Sequence, residues 1–148
     1  MLKIYVDADA CPVKSEVLRV GARHGAQIYI VSNGGIRPSD HPLVQTVIVD
    51  QSPDAADQWI VEDCGSGDLV VTTDIPLAAL AVEKGAEVIK PNGEVITEKN
   101  IGTIVASRNL MADIRGADPF FQSKGKAFSN ADRSRFLNSL ERLLRQKR

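Results

Sequence analysis

The sequence predicts a single α/β domain, built as a three-layer sandwich around a mostly parallel β-sheet. Short apolar segments alternate with helical patterns over residues 1–90, and parallel strands need helical crossovers between them. The chain has 148 residues, which is the material of one ordinary domain. Hydrophobic residues make up 43% and charged residues 25%, which is the composition of a globular protein.

The first 64 residues are predicted to form three strands and two helices. The strands are the short apolar runs Leu2–Val6, Gln27–Val31 and Gln45–Val49. A helix follows the first strand, with Pro12 in its first turn and apolar positions that continue to Val20. The second helix is predicted over Asp54–Cys64, where glycines stop it.

Residues 65–97 are predicted to complete the sheet. A fourth strand at Asp68–Thr72 precedes a short helix at Pro76–Glu83 and a fifth strand at Ala86–Ile89. The Asn92-Gly93 dipeptide lies just before Glu94–Thr97 and indicates a β-hairpin.

The C-terminal part is predicted to be helical and basic. We expect a helix at Asn100–Ile114, an irregular loop at 115–128 and an amphipathic helix at Ser129–Gln146, which begins with a capping box of Ser129 and Asp132. Residues 123–148 hold 8 Lys and Arg against 2 Asp and Glu, whereas residues 1–122 hold 10 against 17. A basic flank suits a polyanionic partner, although a solvated helix face gives the same pattern.

Membrane and disulfide-rich proteins do not fit the sequence. No apolar run approaches the ~18 residues of a membrane span, and the first residues lack a signal-peptide hydrophobic region, so we expect a cytoplasmic protein with no membrane partner. Cys11 and Cys64 lack zinc-site spacing and are expected to be reduced thiols. We expect Cys11 to serve packing, because Asp7 and Asp9 disfavour a thiolate.

Five aspartates are the most informative feature of the sequence. Asp7 and Asp9 follow the first predicted strand, and on an extended chain both point to one side. Asp54 and Asp57 lie three residues apart on a predicted helix, and Asp74 follows the fourth strand. Because the ends of parallel strands meet at one crevice, we expect all five acids to gather there.

A divalent cation is the expected partner of such a cluster. Crowded carboxylates repel one another, so some must take up a proton or share a cation. Mg²⁺ and Mn²⁺ prefer oxygen ligands and activate water for phosphodiester cleavage. Asp54 has an alternative role as a helix N-cap, which Ser52 could also fill. No capping role is expected for the strand-end acids Asp7, Asp9 and Asp74.

Polar and basic residues outside the acidic cluster are candidates for binding the substrate. Ser32 and Asn33 directly follow the second strand, although such residues are common in loops. The basic C-terminal residues are expected to attract phosphate groups if they face the crevice: Arg133, Arg135, Arg142, Arg145, Lys147 and Arg148.

The sequence resembles the YaiI/YqxD family of bacterial proteins. The resemblance rests on residues 4–14 (IYVDADACPVK), 31–33 (VSN), 54–57 (DAAD) and 67–78 (GDLVVTTDIPLA), with shorter matches at Lys84-Gly85-Ala86, Asn100-Ile101, Asp132-Arg133 and Phe136. That family in turn resembles the PIN-like and NYN nucleases, which bind Mg²⁺ or Mn²⁺ through acids at the edge of a parallel α/β sheet. The resemblance therefore implies a PIN-like fold.

The resemblance also implies a role for each acid. Asp7 takes the place of the first-strand metal ligand, and Asp74 that of the ligand after the fourth strand, with Thr72 as its supporting hydroxyl. Asp57 or Asp54 takes the place of the ligand on the helix. The implied activity is hydrolysis of a phosphodiester in RNA by metal-activated water. The expected catalytic residues are Asp7, Asp9, Asp57 and Asp74, and the expected metal ligands are Asp7, Asp57, Asp74 and Asp54.

Two other functions remain open at this stage. A fold alone does not establish a function. A non-catalytic RNA-binding module of nuclease-like fold would bind phosphates with its basic tail and use its acids for stability or partner contact. A haloacid-dehalogenase-like phosphatase would use Asp7 as nucleophile and Asp9 as general acid. Phosphatases of that class have a second pair of acids further along the chain, directly after a strand. Asp68 instead precedes a predicted strand, which argues against this class.

Overall fold

The structure is a computed structural model that describes residues 2–52, 54–117 and 128–147. The strands are β1 (Lys3–Asp7), β2 (Gln27–Ser32), β3 (Val44–Ile48), β4 (Leu69–Val71), β5 (Glu87–Ile89) and β6 (Val95–Ile96). The helices are α1 (Lys14–Arg23), α2 (Ala55–Asp63), α3 (Ile75–Glu83), α4 (Ile101–Ala117) and α5 (Asn130–Gln146). No helix in these ranges is long and apolar enough to cross a membrane.

The strands form one sheet in the order β3-β2-β1-β4-β5-β6. The first five strands are parallel and β6 is antiparallel to β5, which confirms the predicted α/β class and the hairpin. From β1 the chain runs outward through β2 and β3, then returns to place β4 on the other side of β1. The strand order therefore reverses between β1 and β4, and this reversal is the switch point at which open α/β sheets bind ligands.

Helices cover both faces of the sheet and make the three predicted layers. On one face Ile4 and Val6 pack with side chains of α1 and α5, such as Val17 and Phe136. On the other face Tyr5 packs with side chains of α2 and α3, the central ones being Ile60 and Leu77. Because side chains alternate along a strand, the Asp7 side chain lies on the same face of the sheet as Tyr5, which is the face covered by α2 and α3.

Several helices begin or end a few residues away from their predicted boundaries. The first helix begins at Lys14, so Pro12 lies before it and not in its first turn. The helix predicted over Asn100–Ile114 begins at Ile101 and continues to Ala117. The start of the predicted loop at 115–128 is therefore helical, and residues 118–127 of that loop lie outside the described ranges. The capping box is confirmed, because Ser129 and Asp132 each accept a hydrogen bond from the other's backbone N–H.

The hairpin turn depends on Gly93, and its replacement by alanine tests the packing of α5 on that turn. Gly93 has a φ of +93°, and a Cβ there would lie 2.6 Å from the carbonyl carbon of Arg135. Gly93→Ala should lower the free energy of unfolding by about 3 kcal/mol, because backbone strain and overpacking add together. Urea denaturation measures this loss. The control is Gly102→Ala, whose new Cβ meets no atom within 4 Å and which should not destabilise the protein; equal losses in both variants would contradict the prediction.

Candidate metal and phosphodiester site

The candidate site lies at the switch point, where the carboxyl ends of β1 and β4 meet. Val6 pairs with Val71 in the sheet, which sets Asp7 beside Thr72. The buried Thr72 hydroxyl donates a hydrogen bond to Asp7 Oδ2 at 3.0 Å and accepts one from the Asp74 backbone N–H at 3.0 Å. One hydroxyl thus joins the end of β1 to the start of α3.

Asp74 caps α3, which corrects the expectation that it has no capping role. Its Oδ1 accepts a hydrogen bond from Leu77 N at 3.0 Å, and Pro76 lies in the first turn of the helix. Because a capping carboxylate is tied to the backbone, the Asp74 side chain holds a fixed direction at the edge of the sheet.

Asp57 lies in the first turn of α2 and faces the other two acids. Burial raises the pKa of Asp57 to about 7, with further contributions from the charges of Asp74 and Asp7 and from a hydrogen bond between the Asp57 and Asp74 carboxyl groups. Burial also raises the pKa of Asp7, together with the charges of Asp74 and Asp9, while the Thr72 hydrogen bond opposes the rise. The structure therefore brings Asp74 close enough to Asp7 and Asp57 for its charge to raise the pKa of both.

Asp9 differs from the sequence-based expectation that it shares a side with Asp7. The chain is not extended there, because Ala8–Ala10 forms a 3₁₀ turn directly after β1. The Asp9 carboxylate turns toward β2, where it accepts hydrogen bonds from Ser32 Oγ at 2.9 Å and from Asn33 N at 3.2 Å. Asp7 is held instead from the β4 side, so the two acids are bonded to opposite neighbours of β1.

The predicted substrate residues Ser32 and Asn33 hold this rim of the site. Ser32 is fully buried, and its hydroxyl also lies 3.1 Å from the carbonyl oxygen of Gly34. The Asn33 side-chain amide donates to the backbone carbonyl of Asp50 at 2.7 Å. These contacts fix Asp9 and the turn after β2, and contact of either residue with substrate stays a prediction.

Asp54 occupies the N-cap position of α2, where the sequence left either a capping or a metal-binding role open. It is exposed, and its side chain makes no capping hydrogen bond. Its charge is one of the causes that raise the pKa of Asp57. Asp54 therefore lies at the outer edge of the cluster.

The carboxylate oxygens of the cluster suit a hard divalent cation, but they are not arranged around a common point in this structure. Within the ranges 2–52, 54–117 and 128–147, no three His, Cys, Asp or Glu side chains are grouped so that they could hold a metal ion. The candidate donors Asp7, Asp57 and Asp74 are all carboxylates, which Mg²⁺ and Mn²⁺ prefer, and their mutual repulsion favours a counterion. Cation binding at this place requires at least one of these carboxylates to move toward the others.

Arg133, predicted to bind substrate, is engaged within the protein. Its guanidinium pairs with Glu16 on α1 and lies over the ring of Phe128, 5.1 Å from the ring centroid. Other cations of α5 also have acidic partners: Arg135 pairs with Asp132, Arg145 with Glu141 and Lys147 with Glu87. Much of the positive charge of this helix therefore serves its attachment to the domain and its own stability.

Both cysteines are free thiols. Burial raises the pKa of Cys11 to about 11, and the Asp7 charge contributes. Cys11 is therefore protonated near neutral pH, in agreement with its expected packing role.

The fold and site define a class: a doubly wound α/β protein with an acidic crevice at the switch point of its sheet. Residues 5–146 match the family described as "Uncharacterized BCR, YaiI/YqxD family". The chain belongs to this YaiI/YqxD family, as its motifs predicted.

Relatives extend over the whole chain. It is 63% identical over 146 residues to a UPF0178 protein of Roseobacter denitrificans, covering 99% of this chain and 97% of that protein. It is 62% identical to a UPF0178 protein of Cereibacter sphaeroides, with 99% and 91% covered. A UPF0178 protein of Nitrobacter winogradskyi is 46% identical, with 98% and 92% covered. No solved structure matches the chain.

The raised pKa of Asp57 predicts a specific pH dependence of stability. The pKa is about 7 in the folded protein and about 3.9 in an unfolded chain, so the folded state binds the proton more tightly. The resulting stabilisation is complete below pH ~4 and is lost as the pH rises through ~7. Asp57→Asn removes this loss. From pH 5 to pH 8, the change in Tm of the variant should therefore be more favourable than that of the wild type by about 2 °C, after allowance for solvent screening.

Thermal melting in EDTA from pH 5 to pH 8 makes this measurement. The control is Asp40→Asn, which makes the same substitution at an exposed loop position and should follow the wild type at every pH. If the plot of Tm against pH for Asp57→Asn runs parallel to the wild-type plot, the pKa of Asp57 is not raised in the folded protein.

Proposed function

We propose that this protein is a divalent-metal-dependent phosphodiester hydrolase that acts on RNA. The observation that carries the proposal is the meeting of Asp7, Asp57 and Asp74 at the switch point of the sheet. The three carboxylates come from three separate elements, and their repulsion costs folding free energy. A cluster that opposes folding in this way is typical of a site whose ligand supplies the opposite charge.

The contacts of each residue suggest its part in the site. The Thr72 hydroxyl orients Asp7, and the first turn of α3 orients Asp74. Asp57 approaches them from α2, and these three carboxylates would hold the cation. A divalent cation would lower the pKa of a water molecule bound to it. It would also neutralise the negative charge of the phosphoryl group that this water attacks. Asp9, fixed by Ser32 and Asn33, would assist from the β2 side.

The choice of RNA follows the resemblance of the YaiI/YqxD family to PIN-like and NYN nucleases. The activity requires an open crevice at the edge of the sheet, because a polymer must reach the acids from outside. Asp9 and Asp54 are exposed there, and Asp7, Asp57 and Asp74 are partly exposed.

A non-catalytic RNA-binding protein is the second candidate. It is favoured by one observation, namely that the described residues contain no ready-made group of three metal ligands. In such a protein the acids would contact a partner and no metal-dependent turnover would occur.

Metal binding should raise the thermal stability of the wild-type protein. Mn²⁺ at about 100 times its dissociation constant should stabilise the folded state by about 2.7 kcal/mol, or roughly 5 °C or more in Tm. Asp7→Asn should abolish this gain, because it removes one ligand and part of the negative charge. Differential scanning fluorimetry at pH 8, with Mn²⁺ titrated into EDTA-treated protein, measures the effect.

Asp40→Asn again serves as the matched control and should keep the full gain. If the wild-type Tm does not respond to Mn²⁺ or Mg²⁺, or if Asp7→Asn responds equally, the metal site is not at this cluster.

Cleavage assays separate the candidate functions. The proposal expects Mn²⁺-dependent shortening of a labelled single-stranded RNA and no turnover of p-nitrophenyl phosphate. Asp74→Asn should lower the cleavage rate by at least about 10²-fold, because the metal and the substrate would lose a positioned ligand. Hydrolysis of the phosphomonoester alone would favour the phosphatase with Asp7 as nucleophile, and a metal response without turnover of either substrate would favour the binding protein.

A further inference from the structure

A second pocket lies on the α1 face of the sheet, close to the acidic crevice. It has a volume of about 440 Å³, which is within the range of small-molecule sites. Two cationic residues, Lys14 and Arg37, line it together with the hydroxyl-bearing residues Ser15, Ser39 and Thr46. We call it the Lys14–Arg37 pocket.

Within the described part of the chain, no ion pair neutralises the charge of this pocket. No acid lines it. Neither Lys14 nor Arg37 pairs with an acid there, in contrast to the cations of α5 that do. The Ser15 hydroxyl donates a hydrogen bond to Glu16 at 3.2 Å. Two unpaired cations and the hydroxyls of Ser39 and Thr46 therefore remain as donors that suit a phosphate group.

Apolar residues also line the Lys14–Arg37 pocket. Leu18 comes from α1, Ile30 from β2 and Ile36 from the segment after β2. A cavity lined by both cationic and apolar residues fits a ligand with a charged group and a flat or apolar body. A nucleotide unit has both parts, since its phosphate would contact the cations and its base or sugar the apolar residues.

The pocket is joined to the acidic crevice by a single tight turn. Ser32 donates a hydrogen bond to Asp9 at the rim of the crevice, and its hydroxyl also accepts one from Gly34 N at 3.1 Å. The next residue, Gly35, is part of the pocket wall. A chain of nucleotides that reaches Asp9 therefore lies next to the Lys14–Arg37 pocket.

We propose that the Lys14–Arg37 pocket binds a phosphate and its nucleoside from single-stranded RNA, beside the phosphodiester at the acidic crevice. The inference rests on the proposed function for its choice of RNA. It moves the phosphate contacts from the C-terminal helix, where the sequence placed them, to the first turn of α1 and the segment after β2.

Binding of RNA in the absence of metal tests this inference without relying on cleavage. Fluorescence anisotropy of a labelled single-stranded RNA in EDTA gives the dissociation constant of each variant. Lys14→Ala/Arg37→Ala should weaken binding roughly tenfold at 50 mM salt, because two phosphate contacts are lost. The slope of log affinity against log salt should become shallower by about 1.4, or about 0.7 for each lost contact to a single strand.

The matched control is Lys99→Ala/Arg108→Ala, which removes one lysine and one arginine from exposed positions outside the pocket. It changes net charge equally and should keep the wild-type affinity and slope within about twofold. Lys14→Arg/Arg37→Lys keeps both charges and should retain most of the binding, and thermal melting confirms that every variant is folded.

The outcomes separate this inference from the proposed function. If the two double-alanine variants bind RNA equally well, or if the wild type binds no RNA, the pocket is not an RNA subsite. If the pocket variant alone loses affinity while the wild type shows no metal-dependent cleavage, the subsite stands and the hydrolase proposal fails. If the pocket variant binds normally while the wild type cleaves RNA, the hydrolase proposal stands and the subsite fails.

Discussion

The pairing of β1 with β4 is the constraint on which the candidate site depends. These strands are distant in sequence, yet their parallel register sets Asp7 opposite the position that follows β4. Thr72 occupies that position, and its buried hydroxyl bonds Asp7 and the backbone at the start of α3. Because the strand order reverses here, the helices that follow β1 and β4 pack on opposite faces of the sheet and leave a gap between the two strand ends. The same reversal therefore creates the crevice and supplies its acids.

Electrostatics distinguishes this crevice from the rest of the acidic surface. Burial and the charge of Asp74 raise the pKa values of Asp7 and Asp57, whereas Glu141 has a pKa lowered to about 2 by Arg23 and His24. Acids that hold α5 to the body of the domain thus have partners that favour their charge. Among the described residues, no cation pairs with the acids at the switch point, so protonation or a bound cation must relieve the repulsion.

The two groups of basic residues also differ in what they contribute. The cations of α5 pair with acids and stabilise helix attachment, as Arg133 does with Glu16 and Lys147 with Glu87. Lys14 and Arg37 are only two residues, but the cavity that they line has no acid in its lining. Sequence counts of charge cannot separate these cases, because a charge is available to a ligand only when no neighbour in the fold neutralises it.

The alternation of apolar strands and helices determined the layers, the parallel sheet and the hairpin at Asn92-Gly93, because hydrophobic periodicity and turn chemistry act over a few residues. The sequence also predicted that Asp7, Asp9, Asp54, Asp57 and Asp74 gather, since strand ends meet at one edge of a parallel sheet, and the family resemblance added Thr72. Only the tertiary structure decided that Asp9 turns to β2, that Asp74 caps α3, that Arg133 is paired with Glu16 and that Lys14 and Arg37 line the same pocket. Those outcomes depend on contacts between segments far apart in sequence, for which local patterns carry no signal.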